Sequence, residues 1–280
     1  MRFILLMLFA LSVNAEVINA QAFGVKCAGA TVDDTEAFER VFNAVKGKSK
    51  IVLPSGQCFY KKTLVLPPQV QLVGQGEFFE TVLVPSGVDA IHVGAGDKWQ
   101  ARNAIRLLNI TMSMAEGKRA IVARKHHNLI IYDVFIYSAS NVALSLYDSN
   151  FVYLNNVVLY GDKKGTGLYA ENTELNAVNL DVEAFATGIH IIGGQTTLTG
   201  FRIERFGKFG LLLDNSHHGS YSGANILPAK QSVSIAFKNH ASNNVFTGGN
   251  VVSPNIESTH PTFNYSDGEF NMFIRTKGTY

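Results

Sequence analysis

The chain has 280 residues with 24 Lys and Arg against 22 Asp and Glu, a formal charge of +2. A nearly neutral balance with no polybasic stripe gives no footing for nucleic acid or for anionic membranes as partners. Only two cysteines are present, so neither a multi-disulfide scaffold nor a cysteine-built metal site is available.

Arg2 precedes an apolar run from Phe3 to Val13 and the small-residue pattern Val13-Asn14-Ala15. This reads as a secretory signal over residues 1–15, too short to cross a bilayer as a helix. No later segment is long and apolar enough to stop transfer. The mature chain is therefore expected to be exported, secreted or periplasmic, as one domain over residues 16–280. In an oxidising compartment the economical reading of Cys27 and Cys58 is one disulfide, the alternative being two buried free thiols.

Residues 22–76 carry the one clear helix signal. Asp33 or Asp34 suits an N-cap, Ala37, Phe38, Val41, Phe42 and Val45 form an apolar stripe, and Gly47 ends it. Strands are expected at Lys50–Leu53 and Val70–Val73, interrupted by Pro54 and by Pro67-Pro68. Asp33-Asp34 reads as capping and not as catalysis.

This segment resembles the pectate-lyase superfamily, in the branch with a rhamnogalacturonase and epimerase-like N-terminal region that also occurs in phage tailspike depolymerases. The matching residues are Phe23-Gly24-Val25-Lys26, Gly29-Ala30-Thr31 with Asp33-Asp34-Thr35, Leu53-Pro54-Ser55-Gly56 with Tyr60, and Val70-Gln71-Leu72-Val73-Gly74-Gln75-Gly76. They cover about the first quarter of the mature chain, are specific for fold and weak for chemistry. Cys27 stands where members often carry Gly. The resemblance implies a secreted β-helix that acts on or binds acidic or complex polysaccharide, but it transfers no catalytic residues, because the acidic motifs of the polygalacturonase branch are missing.

Beyond the cap, regular coils are expected over residues 105–252. An alternating apolar pattern is centred on Asn109, Asp133, Asn156, Asn179, Gly200 and Gly223, at steps of 24, 23, 23, 21 and 23. A second series begins at Ala120, Ala143, Gly167, Gly188, Gly210 and Ser234, at steps of 23, 24, 21, 22 and 24. Two series sharing a step, each with period-2 alternation, exclude helical repeats. The reading is an all-β, single-stranded right-handed parallel β-helix with an N-terminal amphipathic capping helix, each strand pairing with its equivalent one coil on. Residues 253–280 are taken as the closing segment.

Register then locates candidate chemistry. Positions +1 and +3 from each centre point inward, while +2 and +4 point outward. The +2 column reads Thr111, Phe135, Val158, Asp181, Arg202, Asn225. The +4 column reads Ser113, Tyr137, Tyr160, Glu183, Glu204, Leu227. Asp181, Glu183, Arg202 and Glu204 thus form an outer polar patch, with Glu183 and Glu204 lateral neighbours. Two carboxyls so close repel, and a protonated and an ionised carboxyl side by side is what glycoside hydrolysis uses. Tyr137 and Tyr160 offer flat faces for sugar binding.

Two other readings stand beside hydrolysis. In a lyase, Asp181, Glu183 and Glu204 would hold Ca²⁺ against a uronate while Arg202 or Tyr160 removes the C5 proton; otherwise no cofactor is expected. In a binder or adhesin the patch is a solvated face with an Asp181–Arg202 ion pair. His92 and His190 lie coils apart, His126-His127 and His217-His218 fall at coil junctions, and Asp214 faces a different wall from Glu204, so no zinc site is expected. Asn109-Ile110-Thr111 and Asn264-Tyr265-Ser266 are glycosylation sequons. With no coiled coil or assembly segment, a monomer is preferred over a homotrimer.

Overall fold

A computed structural model describes residues 15–76, 80–94, 98–139, 141–229, 232–239, 241–252, 256–258, 272–274 and 277–279. Residues 1–14 of the signal segment, the sequon at Asn264 and most of 253–280 lie outside the described residues. The described residues are 62% strand and 6% helix, wound into about nine turns of a right-handed parallel β-helix.

Each coil contributes a long and a short strand. The long ones include Gln100–Thr111, His126–Ala139, Asn150–Gly161 and Glu174–Glu183, and the short ones Ile121–Arg124, Val142–Tyr147, Thr166–Glu171, Thr187–Ile192 and Phe209–Asp214. Each pairs in parallel with its equivalent in the neighbouring coil, which gives two stacked sheets. The apolar residues of every coil line one continuous bore, from Ile18 to Val251. A single coil could not bury that surface, so stacking is what stabilises it.

A left-handed residue bends each long strand into two segments. In successive coils it is Leu107, Asp133, Asn156, Asn179, Gly200, Gly223 and Gly248, with φ between 52° and 63° for Asp133 and Gly248 as representatives of the series. Asn, Asp and Gly tolerate this conformation best. Asn156 Nδ2 also donates to Asp133 Oδ1 at 2.7 Å, tying two bends together.

The first expected centre is corrected by this register. Tyr132 pairs with Arg106 and Val134 with Leu108, so the bend partner of Asp133 is Leu107, while Asn109 lies beside Phe135. An Asn in an apolar run imitates a bend residue, yet here a Leu takes the αL position. Thr111 accordingly stands beside Tyr137 in the +4 column, and Asn109 replaces it in the +2 column.

The small-residue series holds throughout. Ile121 pairs with Leu144, Leu144 with Leu168, Leu168 with Ile189, Ile189 with Leu211 and Leu211 with Ile235, which aligns Ala120, Ala143, Gly167, Gly188, Gly210 and Ser234. The reason is crowding, since a Cβ on Gly188 would stand 2.7 Å from the Gly210 carbonyl oxygen.

At the N-terminal end, helix α1 (Thr35–Ala44) buries Ala37, Phe38 and Val41 against the first coils, with the Phe38 ring 5.5 Å from that of Tyr60. Asp34 is the N-cap residue, but its carboxylate turns away from the helix to accept from the backbone N–H groups of Lys26 and Cys27 at 2.8 and 3.0 Å. Asp33 instead accepts from the Thr35 N–H at 3.0 Å, and this bonding to Thr35 holds its carboxyl below the usual range. The helix ends at Ala44 with Val45 as C-cap, earlier than Gly47. Cys27 and Cys58 form a disulfide. Among the described residues no helix is long and apolar enough to cross a membrane.

Candidate functional site

The second segment of the long strands forms one outer wall. Leu180 and Val182 are buried, and so are Phe201 and Ile203 one coil on, so the residues between them must face outward. Asp181 pairs with Arg202 and Glu183 with Glu204, while Val158 and Tyr160 precede Asp181 and Glu183 in the coil before. The four polar residues expected together are together.

Their charges are organised as alternating pairs. Arg202 Nε donates to Asp181 Oδ1 at 3.0 Å, its Nη2 bonds Asp181 Oδ2, and its Nη1 donates to Glu204 Oε1 at 3.2 Å. The bond to Asp181 is the main reason the guanidinium holds its proton above the ordinary arginine value. Glu183 pairs with Arg205, a residue outside the expected set. Strict alternation would send Arg205 inward after Glu204, but its φ of 53° turns it out of the wall. Each of the three carboxylates therefore meets a guanidinium, and the wall is built of ion pairs. The three carboxylate side chains are 17–22% exposed, the arginines 44% and 57%.

Beside the pairs lies the aromatic part. Tyr137 and Tyr160 stack with centroids 5.3 Å apart and planes 20° from parallel. Arg205 reaches over the Tyr160 ring at 5.5 Å and donates to its hydroxyl at 3.4 Å. Tyr137, Tyr160, Asp162, Lys163 and Arg205 line an open groove of about 280 Å³. Hence flat ring faces, three cations (Arg202, Arg205 and Lys163) and four carboxylates (Asp181, Glu183, Glu204 and Asp162) lie within adjoining coils.

A second cluster lies on the short-strand wall; His190 and Asp214 are singled out from the sequence one by one, but not brought together, although the same counting applies. The parallel register aligns Arg124, Tyr147, Glu171, Ile192, Asp214 and Lys238 in one column, and Tyr169 and His190 in the neighbouring one. Tyr169 donates to Glu171 Oε2 at 2.8 Å and meets the edge of His190 at 5.3 Å. Burial, then the bond to Glu171, pushes the Tyr169 phenol up, whereas burial pulls the His190 imidazole down against the opposing pull of Asp214. His190 Nε2 is 3.9 Å from Asp214 Oδ2, an ion-pair distance beyond hydrogen-bonding reach. Asp214 thus faces a different wall from Glu204, as expected.

Three further histidines have separate partners. His92 bonds Asp89 at 2.9 Å, His126 is buried against Asn103, and His217 bonds Ser242 at 2.7 Å. Among the described residues no group of three or more His, Cys, Asp or Glu side chains converges as a metal ion would need. The oxygens of Asp181, Glu183 and Glu204 that could have met a Ca²⁺ are turned to guanidinium groups.

No protein-family model matches the sequence, and no curated protein matches it. Solved structures do match, at identities that speak for the fold alone. The Streptococcus pneumoniae surface protein and adhesin PfbA superposes with a TM-score of 0.62 at 12% identity, over 87% of this chain and 86% of that one. ORF18 of Geobacillus virus E2 gives 0.57 at 14%, over 87% of this chain, which spans only 60% of the viral chain. The family 28 exopolygalacturonase of Yersinia enterocolitica gives 0.55 at 10%, over 89% of this chain and 67% of that one. What these likenesses show is the architecture, a right-handed parallel β-helix.

Proposed function

We propose that the protein is a secreted polysaccharide-binding β-helix whose Tyr137–Tyr160 wall carries the sugar chain and whose arginines select its acidic residues. The carrying observation is the tyrosine pair, stacked at 5.3 Å along an open groove that Arg205 shares. Tyrosine faces accept the apolar face of a pyranose, and a guanidinium takes a carboxylate through two parallel hydrogen bonds. Arg202 already bonds Asp181 in that manner, so a uronate can compete for it with groups of the same kind. An adhesin and an exopolygalacturonase among the structural neighbours support glycan recognition by analogy of fold. The disulfide fits an oxidising compartment.

A second reading, hydrolysis, is favoured by the lateral register of Glu183 and Glu204. Neighbouring strands lie about 4.8 Å apart, close to the roughly 5–5.5 Å that separates the carboxyls of retaining glycosidases. In this reading a uronate draws Arg202 away from Glu204 and leaves Glu204 free beside Glu183. Glu204 would then protonate the leaving oxygen while Glu183 attacks the anomeric carbon, and water would release the glycosyl ester.

Binding and turnover are measured on polygalacturonate and on neutral glycans. Tyr137→Ala/Tyr160→Ala is expected to weaken binding by about tenfold, or 1.4 kcal/mol. Wild-type affinity in that variant would remove the wall from consideration. If new reducing ends appear with wild type, Glu204→Gln is expected to abolish them while sparing affinity. Undiminished cleavage would place the chemistry elsewhere, and an ultraviolet-absorbing unsaturated product would mean β-elimination.

A further inference from the structure

The first segment of the long strands, before the left-handed bend, makes a wall of its own with a different charge. Its register sets Lys50 beside Gln71, Gln71 beside Ala104 and Ala104 beside Ile130, and in the next outward column Arg106 beside Tyr132. Lys48 precedes the same strand as Lys50, and Arg102 sits at an exposed left-handed position with φ 63°. Lys48, Arg102, Gln69, Gln71, Asn128 and Ile130 line a groove of about 220 Å³, and no acidic side chain lines it.

These cations are uncompensated. Some cations of the described residues, such as Lys61, Lys62, Arg119, Arg202 and Arg205, are held by carboxylates. Lys48, Lys50, Arg102 and Arg106 have none, and Arg106 rests 5.1 Å over the Tyr132 ring instead. Like charges gathered in a concave site focus an attractive field for an anion. The amides of Gln69, Gln71 and Asn128 can each donate to and accept from hydroxyl groups. Further along the wall, Ile130, Tyr153 and Val178 are left 41%, 42% and 43% exposed. Cations and amides at one end and apolar surface at the other match a ligand that carries anionic groups, hydroxyls and apolar ring faces in one chain.

We propose that this wall is a second binding face for an anionic polysaccharide, gripping carboxylate or sulfate groups in the Lys48–Arg102 groove and sugar faces on Ile130 and Tyr153. It shares no residue with the Tyr137–Tyr160 wall and does not depend on it.

The test uses the full chain with two probes, oligogalacturonate for carboxylate and chondroitin sulfate oligosaccharide for sulfate, each titrated at low and high salt. Lys48→Gln/Arg102→Gln is expected to lower affinity for at least one probe by about tenfold and to flatten its salt dependence, with the melting temperature unchanged. Lys50→Gln/Arg106→Gln should act in the same direction. In Tyr137→Ala/Tyr160→Ala the salt-sensitive component is expected to remain, which separates this face from the other wall. Wild-type affinity and salt dependence in both charge-removed variants would overturn the proposal. So would duplex DNA binding as tightly as either glycan, because the wall would then be a general polyanion surface.

Discussion

Replacing Gly188 by Ala tests the stacking of coils at the point where it is tightest. The added Cβ would stand 2.4 Å from Ile203 Cγ2 and 2.7 Å from the Gly210 carbonyl oxygen. The isoleucine methyl can turn aside only within a packed bore, where Ile203 is fully buried. The carbonyl cannot turn, because it belongs to the strand Phe209–Asp214 that pairs with Thr187–Ile192. Overpacking a filled core costs about 1–3 kcal/mol, and two contacts below 3 Å place this change near the top of that range. The expected loss is therefore about 2–3 kcal/mol, read as a lower urea midpoint by circular dichroism. Ala143→Gly, in the same column, removes a buried methyl instead of adding one and should cost about 1–2 kcal/mol through backbone freedom and lost burial. If Gly188→Ala changed stability by less than about 0.5 kcal/mol, the lateral approach of the short strands would be wrong.

Two further outcomes concern pH and redox state. Burial lowers the His126 imidazole to about 4, against 6.5 in an unfolded chain, so the unfolded state binds more protons between those values. Stability should be level above pH 6.5 and fall by roughly 3 kcal/mol as pH drops to 4, and His126→Gln should flatten that slope in urea titrations. Reducing the Cys27–Cys58 disulfide, which spans 31 residues, should cost about 3–4 kcal/mol by the loop-entropy relation, seen as a lower urea midpoint with reductant than without.

The fold was legible because in-register stacking writes the same residue class at the same place in every coil. The buried series Val134, Val157, Leu180 and Phe201 and the small series from Ala120 to Ser234 are both visible as columns in the chain. What was not legible was the first bend. Leu107 occupies an αL position that favours Asn or Gly, while Asn109 two residues later imitates the expected residue. Packing in the stacked coils overrode the local preference. The helix end was misplaced for a related reason, since Val45 leaves the helix in extended conformation before Gly47 is reached.

The candidate site divides along the same line. Asp181, Glu183, Arg202 and Glu204 follow from alternation alone, because they lie on regular strand between two bends. Arg205 does not, since period-2 counting sends it into the bore and only its left-handed backbone brings it to Glu183 and Tyr160. Its arrival changes the electrostatics: a wall that alternation fills with three carboxylates and one guanidinium holds two guanidinium groups. Lys48 and Arg102 escape for a similar reason, being far apart in the chain and next to or at bends, where no strand pattern assigns an outward face. In a solenoid the strands therefore announce their side chains, while residues at the bends decide which charges finally meet.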